Sequence, residues 1–424
     1  MIDTVSAPWP VLPRIRGAKA LGEERLAVGL TAAAVALIPL VWPSGPGNSA
    51  YVDPLIALSF VACLLWAGTS GHLWRFPFAV SIGLFMTGGA LGALAGPVPG
   101  SGIVALLQDL VLLAWCWAIA NLCSSPQRLK MLLATWAYSS IGWAVLLFIG
   151  LATGTFGLTG QSTREASRTA LTFGDPSFSA NYYFVSMMVI WATGRPRHRA
   201  LRFFAYALLV SALLSTGSNS GIVSVIVGTV VAGLLGLSRR RGTLPAVTAL
   251  AFVLVGGVLA VSTISLTDIQ ARAHESHYAF LRDGIGRSEV SESQRGTLLE
   301  ESTHLYSTGG PLGQGPVSTK ARLDKEMAPF IKEAHNDYFA ALIERGAVGF
   351  VGLLLFLSAL GLRAVSLIRS RLAKGFAAVI IRPNALVGAV AGTVVASTVY
   401  ELLHLRHLWV LFAFVAAISL WGRE

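Results

Sequence analysis

Charged residues are scarce in this chain of 424 residues: they account for 12% of it, whereas apolar residues account for 54%. In soluble globular domains about a quarter of the residues are charged. The shortage excludes a disordered chain and argues against a soluble nucleic-acid binder, although the formal net charge is +11. The mean hydropathy of +0.65 predicts an integral membrane protein instead.

Cysteine is equally scarce. Cys63, Cys116 and Cys123 are scattered in or beside apolar stretches. They are too few for a disulfide framework or a zinc cluster, so we expect buried thiols. The external acidic residues also lack a clustered carboxylate pair of the kind that holds a divalent cation. The sequence therefore predicts no metal and no cofactor.

The first 25 residues lack the apolar core of a secretory signal. They contain three prolines and four basic residues, Arg14, Arg16, Lys19 and Arg25. We expect residues 1–25 to form a cytoplasmic tail.

Long apolar stretches are abundant, and about twelve are close to the roughly 20 residues that a spanning helix needs. They lie at residues 26–42, 52–70, 76–95, 103–122, 130–153, 178–194, 200–215, 219–237, 244–266, 345–367, 384–401 and 407–422. The pattern predicts an all-α, polytopic membrane protein. Nine spans would fall in residues 26–266 and three in 335–424, separated by a large loop at 267–334.

The basic residues indicate the orientation of these spans. Most of the 32 Lys and Arg residues fall on one side when the N-terminus is placed inside. The opposite loops at 43–51, 96–102 and 216–218 contain none. By the positive-inside rule, both termini are cytoplasmic and the loop 267–334 faces outward.

Some arginines remain on the outer side, where the rule predicts few. Arg164 and Arg168 precede the sixth span, Arg295 lies in the large loop and Arg406 lies between the last two spans. Arg164 and Arg168 are one helical turn apart and could converge on one phosphate group. The pattern favours an anion site. Alternatively, the loop is a solvated surface, because long loops are translocated regardless of charge.

Two motifs flank the end of the large loop. GGPLGQGP, residues 309–316, has glycines that permit tight turns and close approach to a ligand. It lacks the spacing and lysine of a phosphate-binding loop, which argues against nucleotide binding. HNDYFAALIERGAVG, residues 335–349, leads from a polar start into the tenth span.

The polar residues that begin the second motif are candidates for helix capping and for proton transfer. Asn336 or Asp337 is expected to cap the helix, and His335 could titrate near neutral pH and accept a proton. An interfacial histidine without a catalytic role is the alternative. For Glu344 and Arg345 we expect an ion pair or a packing role.

Three further segments carry polar residues on the outer side. RTALTFGDPSFSANY, residues 168–182, contains an Asp175-Pro176 turn before the sixth span. STGSNSG, residues 215–221, has hydroxyls that are expected to satisfy helix ends. ELLHLRHLW, residues 401–409, adds donors to the same side. We expect Tyr182 and Tyr183 to belong to a membrane-interface belt.

Together these segments resemble the O-antigen ligase and O-antigen polymerase superfamily of the bacterial envelope. Residues 168–182 look like its Arg, Phe, Asp/Asn-Pro-Asn segment, and STGSNSG is similar to its Thr-x-Ser-Arg-Ser/Gly turn. The strongest match is the Pro-Leu-Gly-x-Gly and His-Asn-x-Tyr/Phe-x-x-x-x-x-Glu-x-Gly pair. Ser177, Leu171 and Asn219 depart from the family pattern, which indicates a divergent member.

The resemblance implies glycan transfer from a polyprenyl-diphosphate carrier to an acceptor hydroxyl. The reaction would take place on the outer face of the bacterial cytoplasmic membrane, without nucleotide sugar or metal. Arg168, Arg295 and His335 would correspond to the family's functional arginines and histidine. The implied partners are the lipid-linked glycan donor, a lipid or cell-wall glycan acceptor and membrane lipids, but no nucleic acid.

The residue types suit this chemistry. Arginine offers a fixed fork of donors for the phosphate oxygens of a leaving diphosphate. Besides Arg168 and Arg295, the expected substrate-binding residues, for diphosphate or glycan, are Arg164, Arg406, Asn336, Asp337 and Tyr338. His335 as a general base would contribute about 10²- to 10⁴-fold in rate.

Rival functions remain open at this stage. A polymerase of the same superfamily differs only in its acceptor, and a peptidoglycan polymerase also uses lipid-linked donors. A polytopic transporter would place charged residues within its spans. Here the mid-span acid is chiefly Asp109, and the two halves show no convincing repeat.

Overall fold

The computed structural model of the chain describes residues 18–43, 49–161, 168–263, 265–277, 282, 288–327 and 336–424. These residues form α-helices and no β-strand. The first ten helices are α1 (Ala18–Ala36), α2 (Asp53–Ser70), α3 (Ala79–Ala95), α4 (Pro99–Leu122), α5 (Pro126–Thr153), α6 (Phe156–Thr159), α7 (Pro176–Thr193), α8 (Arg199–Ser215), α9 (Asn219–Arg241) and α10 (Thr243–Thr263). The others are α11 (Leu266–His274), α12 (Ser288–Gly309), α13 (Ser318–Lys325), α14 (Asp337–Arg369), α15 (Lys374–Val379), α16 (Pro383–Ala396) and α17 (Arg406–Trp421).

Each predicted span overlaps one of these helices. Within the described residues, five helices are long and apolar enough to cross a membrane: α2, α4, α5, α9 and α14. Helices α3, α10, α16 and α17 are apolar over shorter stretches. The chain is therefore an all-helical membrane protein, whereas the total of twelve crossings and the side occupied by each loop stay predictions.

The shortest apolar helices lie in the centre of the bundle. Helix α17 has 16 residues, or about 24 Å at about 1.5 Å per residue, less than the roughly 30 Å of a bilayer core. Nearly all residues of α17 and of α7 are buried against other helices. A helix shielded from lipid in this way does not have to match the bilayer thickness.

Burial corrects the expectation for two tyrosines. Tyr182 and Tyr183 are fully buried in α7 and do not form an interfacial belt. The Tyr182 ring stacks on Trp136, with 6.3 Å between ring centroids. The two tyrosines follow a loop in the sequence, which suggested a position at the membrane interface. In the structure, α7 is surrounded by protein on all sides.

The large loop is partly helical, through α11, α12 and α13. Helices α12 and α13 pack on the first turns of α14 through a small apolar cluster of Leu305, Leu323, Ile343 and Phe339. This contact brings the described end of the loop against the first turns of a membrane helix. At the other end of the chain, α1 already begins at Ala18, inside the segment predicted as a tail. Cys63, Cys116 and Cys123 are buried free thiols.

Candidate functional site

The glycine-rich turn and helix α14 are joined at a break in the helix. Gly346 has φ 62° and ψ −169°, which no other residue type adopts readily. The carbonyls of Ile343 and Glu344 accept hydrogen bonds from Gln314 N and Gly315 N, at 3.0 and 2.8 Å. The turn thus supplies donors that the broken helix lacks.

Helix α14 also donates a hydrogen bond to the turn. Ala347 N, which in an unbroken helix would donate to Ile343 O, donates to Pro311 O at 2.9 Å. A Cβ added at Gly346 would overlap the backbone of residues 311–313, and one at Gly313 would overlap Gly346 N. Glycine is required on both sides, because two backbones touch there. The sequence predicted that these glycines permit close approach to a ligand; in the structure they permit close approach of the backbone of α14.

Helix α3 lies against the same break. A Cβ at Gly88 would overlap the backbone of Gly349, and one at Gly92 would overlap Glu344 O and Gly315 N. Small residues at such positions let membrane helices pack closely. Helix α3, helix α14 and the turn therefore form one tightly packed unit.

A buried ion pair lies beside this unit. Arg345 donates through Nη2 to Oδ2 of Asp109 in α4. Its guanidinium carbon lies 3.9 Å from the centroid of the Phe85 ring in α3. The sequence predicts an ion pair or packing role for Arg345, and the structure has both. Asp109, the mid-span acid of α4, is thereby paired.

Asn336 caps α14, as predicted: its Oδ1 accepts from Tyr338 N at 2.8 Å and from Phe339 N at 3.1 Å. Its Nδ2 donates to Thr398 O at 2.7 Å. Asp337 is buried and accepts from Leu402 N at 2.9 Å and Leu403 N at 3.3 Å. The start of α14 is therefore bound to residues 397–405, which we call the α16–α17 connector.

The connector also reaches the motif before α7. The hydroxyl of Tyr400 donates to Oδ2 of Asp175, and Oδ1 of Asp175 caps α7 by accepting from Ser177 N at 2.6 Å. The ring of Phe178 lies 5.3 Å from that of Tyr400. Asp175 thus links the sixth predicted span to the segment that holds Asn336.

Two residues just after the connector point into the bundle. Arg406 is 3% exposed, and its Nε and Nη2 donate to the two carboxylate oxygens of Asp53 in α2. His407 is fully buried, and its Nε2 lies 2.8 Å from Oδ1 of Asn181 in α7. The prediction that Arg406 binds substrate is untested, and its donors are largely used within the protein.

Arg168 lies on the STGSNSG turn. Its Nε donates to Thr216 O at 2.8 Å, and Thr169 N donates to Ser215 O at 3.1 Å. Ser218 caps α9, and its hydroxyl donates to that of Ser177 at 3.2 Å. The two segments that carry Arg168 and STGSNSG are therefore in contact, and the turn hydroxyls satisfy helix ends as predicted.

Three predicted residues cannot be placed with their side chains. Arg164 and His335 lie outside the described residues. Arg295 lies in α12, but its side chain is outside the described part. Of the predicted site residues, Asn336 and Asp337 are bound to the connector, and the Tyr338 hydroxyl donates to Val394 O of α16 at 3.2 Å.

A cavity of about 100 Å³ lies between α4, the end of the glycine-rich turn, the first turns of α14 and the connector. Its walls include Gln108, Asp109, Glu344, Arg345 and Trp409. Sequence reasoning assigned no ligand to these residues. The signal was present in part, because an acid and an arginine within apolar spans require partners.

A family model described as O-antigen ligase matches residues 204–357. The match covers just over a third of the chain. It includes the STGSNSG turn, the large loop, the glycine-rich turn and the break at Gly346. No curated protein matches the chain. The segments that carry the resemblance meet in the fold, and residues 204–357 are similar to O-antigen ligases, which supports an O-antigen ligase-like superfamily member.

Proposed function

We propose that the protein is a glycosyltransferase of the bacterial cytoplasmic membrane that moves a glycan from a polyprenyl-diphosphate carrier to an acceptor hydroxyl on the outer face. The observation that carries the proposal is the convergence of the motif segments. Asp175 and Asn336, which lie about 160 residues apart in sequence, are both hydrogen bonded to the α16–α17 connector. The family match supports an enzyme acting on polysaccharide.

Arginines bind the leaving diphosphate in this proposal. As the glycosidic bond breaks, negative charge develops on the diphosphate, and preorganised cations stabilise that charge in the transition state. Arg168 is held by Thr216 O through Nε, which fixes the direction of its guanidinium group. Arg295 and Arg164 complete the set. Arg406 is the weakest candidate, because Asp53 already takes two of its donors.

His335 acts as the general base. It takes the proton of the acceptor hydroxyl while the acceptor oxygen bonds to the anomeric carbon. The bond between that carbon and the diphosphate oxygen breaks, and its electron pair leaves with the polyprenyl diphosphate. A single displacement inverts the anomeric carbon. The next residue, Asn336, is bound both to the first turn of α14 and to Thr398 O.

The proposal favours a ligase, whose acceptor is a lipid or a cell-wall glycan. The observation behind this preference is the direct entry of the His-Asn segment into α14 after one late loop. A polymerase of the same superfamily, which extends the growing glycan, is the alternative. The two are distinguished by supplying each acceptor separately.

The test is glycan transfer by purified protein in detergent from a polyprenyl-diphosphate donor, with and without chelator. We expect chelator-insensitive turnover that falls at least 100-fold in Arg168→Ala and in His335→Ala, within the usual range for general-base loss. Arg168→Lys should recover only part of the rate if bidentate phosphate binding matters. Arg272→Ala, an exposed arginine of α11, is the matched control and should retain full rate.

Three results would contradict the proposal. Full turnover in His335→Ala at equal folded concentration would show that His335 is not the general base. Turnover that stops with chelator would require a metal. No turnover with any lipid-linked donor would favour the transporter.

A further inference from the structure

Much of the positive charge of the chain lies in long stretches of sequence that have no acidic residue. Residues 176–267 and 346–400 contain no aspartate and no glutamate. The arginines in these two ranges therefore have no acidic neighbour along the chain. Their charge must be balanced by contacts in the fold or by a partner outside the protein.

Three arginine-bearing segments from these ranges meet at one end of the bundle. Arg382 N, just before α16, donates to Ala192 O at the end of α7, at 3.0 Å. Asn384 Nδ2 donates to Ala232 O in α9 at 2.7 Å. Helix α16 runs from this end to the α16–α17 connector, so this end is the one that the sequence predicts to be cytoplasmic. We call the arginines of residues 195–202, 239–241 and 382 the basic face.

Other basic residues at this end of the bundle are engaged within the protein. Arg128 pairs with Glu24 at 3.4 Å, and the guanidinium carbon of Arg75 lies 4.2 Å from the centroid of the Trp421 ring. By contrast, among the described residues no arginine of the basic face forms an ion pair. The charge of the basic face is thus available to a partner beyond the described part of the chain.

Two arginines of the basic face share one neighbour. The hydroxyl of Tyr206 in α8 lies within electrostatic reach of both Arg202 and Arg382. Arg202 donates through Nη1 to Gly194 O at 2.6 Å, and its Nε and Nη2 have no partner among the described residues. Like charges held close together repel each other. An anion that accepts from both guanidinium groups and from the hydroxyl would remove that repulsion.

The level of the basic face in the membrane indicates a lipid as the source of this anion. Helix α9 has 23 residues, or about 35 Å at about 1.5 Å per residue, more than the roughly 30 Å of a bilayer core. Its last residues, 239–241, are exposed and extend to the level of the headgroups. Phe203 and Phe204, which follow Arg202 in α8, are 77% and 53% exposed. A phospholipid supplies both a phosphate for the arginines and an acyl chain for these rings.

We propose that the basic face binds the phosphate headgroup of an anionic phospholipid, with Arg202, Arg382 and the Tyr206 hydroxyl donating to its oxygens. Arginine presents a fixed fork of donors to phosphate oxygens. Basic pockets between membrane helices are typical sites for such headgroups. The bound lipid bridges α8 and the start of α16. The site is separate from the segments proposed to carry out glycan transfer, which lie at the other end of the bundle.

Native mass spectrometry of the full-length protein in detergent measures the binding, with phosphatidylglycerol, phosphatidylcholine and inorganic phosphate as probes. We expect the wild type to bind phosphatidylglycerol at least tenfold more tightly than phosphatidylcholine, whose headgroup has no net charge. The double variant Arg202→Gln/Arg382→Gln should weaken this binding at least tenfold, and Arg382→Gln alone about fivefold. The matched control is Arg369→Gln/Arg371→Gln, which removes the same charge from two exposed residues at the same end of the bundle. It should change the affinity less than twofold.

Three results would overturn the proposal. Equal affinity for the two lipids would show that the charge of the headgroup does not matter. A control variant that weakens binding as much as the site variant would show only a diffuse positive surface. Displacement of phosphatidylglycerol by an equal concentration of inorganic phosphate would show a site for a free anion. If the double variant does not fold, Arg382→Gln decides the question, because the Arg382 side chain forms no hydrogen bond among the described residues.

Discussion

Arg406 and Asp53 form a two-point ion pair: Nε and Nη2 of the arginine donate to the two carboxylate oxygens, at 2.8 and 2.7 Å. Arg406 begins α17 and Asp53 begins α2, so the pair joins two helices more than 350 residues apart in sequence. Their side chains are 2% and 17% exposed. This geometry favours a role for Arg406 in positioning the α16–α17 connector.

The pair can be tested by removing either partner. Arg406→Ala and Asp53→Asn should each lower the free energy of unfolding by about 3 kcal/mol, because each leaves a buried polar group without its partner. The measurement is thermal unfolding in detergent. The Arg322–Glu326 pair, also at 2.7 Å but more exposed, is the matched control. Arg322→Ala should cost less than about 1 kcal/mol.

A different pattern would identify Arg406 as a phosphate ligand. In that case Arg406→Ala would raise KM for the donor without a change in melting temperature, and Asp53→Asn would be silent in both measurements. The sequence-based assignment of Arg406 to substrate binding would then stand.

The break in α14 predicts an asymmetry between two glycines of one helix. Gly346→Ala places a side chain at a backbone conformation reserved for glycine and against residues 311–313. It should cost at least about 2 kcal/mol in unfolding free energy, and glycan transfer should fall with it. Gly361→Ala, where an added Cβ meets open space, should stabilise the helix by up to about 1 kcal/mol.

Melting temperature and transfer rate measured on both variants check this prediction. A Gly346→Ala protein with wild-type stability and rate would show that the turn does not hold the break. A Gly361→Ala protein that is also destabilised would mean that the loss of either glycine weakens this helix. The comparison would then say nothing specific about Gly346.

The bond between Tyr400 and Asp175 predicts a role for the connector in transfer. Tyr400→Phe keeps the ring beside Phe178 and removes only the hydroxyl. A hydrogen bond to a charged group contributes about 1.5–3 kcal/mol, so we expect a lower melting temperature and a transfer rate about tenfold lower. Tyr51→Phe, at a residue that is 71% exposed, should change neither. An unchanged rate in Tyr400→Phe would make the connector a passive link.

The helices were predictable because the apolar stretches of a membrane protein record the spans directly. The caps at Asp175, Ser218 and Asn336 were also readable, since their residue types favour helix starts. The break at Gly346 could not be predicted from the sequence, because GAVG also fits a continuous helix. Only the partner backbone at residues 311–315 explains it.

The candidate site was predictable in its segments but not in its contacts. The motifs named Arg168 and Asn336, yet no local pattern links Tyr400 to Asp175 or Arg345 to Asp109. Those pairs depend on long-range packing of the α16–α17 connector against the start of α7 and of α14 against α4. The prediction that Tyr182 and Tyr183 lie at the membrane interface was wrong for the same reason. The sequence places them next to a loop and does not reveal that α7 is enclosed by other helices.

The backbone hydrogen bonds between the glycine-rich turn and α14 also affect which parts of the sequence can change during evolution. The loop is anchored on one side by backbone hydrogen bonds of Gln314 and Gly315, and on the other by the backbone of Asp337 and the side chain of Asn336. Sequence changes between these anchors that spare Thr319, Leu323 and His335 therefore leave the hydrogen bonds of both anchors in place. Acceptor preference could be altered in that interval while the membrane helices and their hydrogen bonds stay as they are.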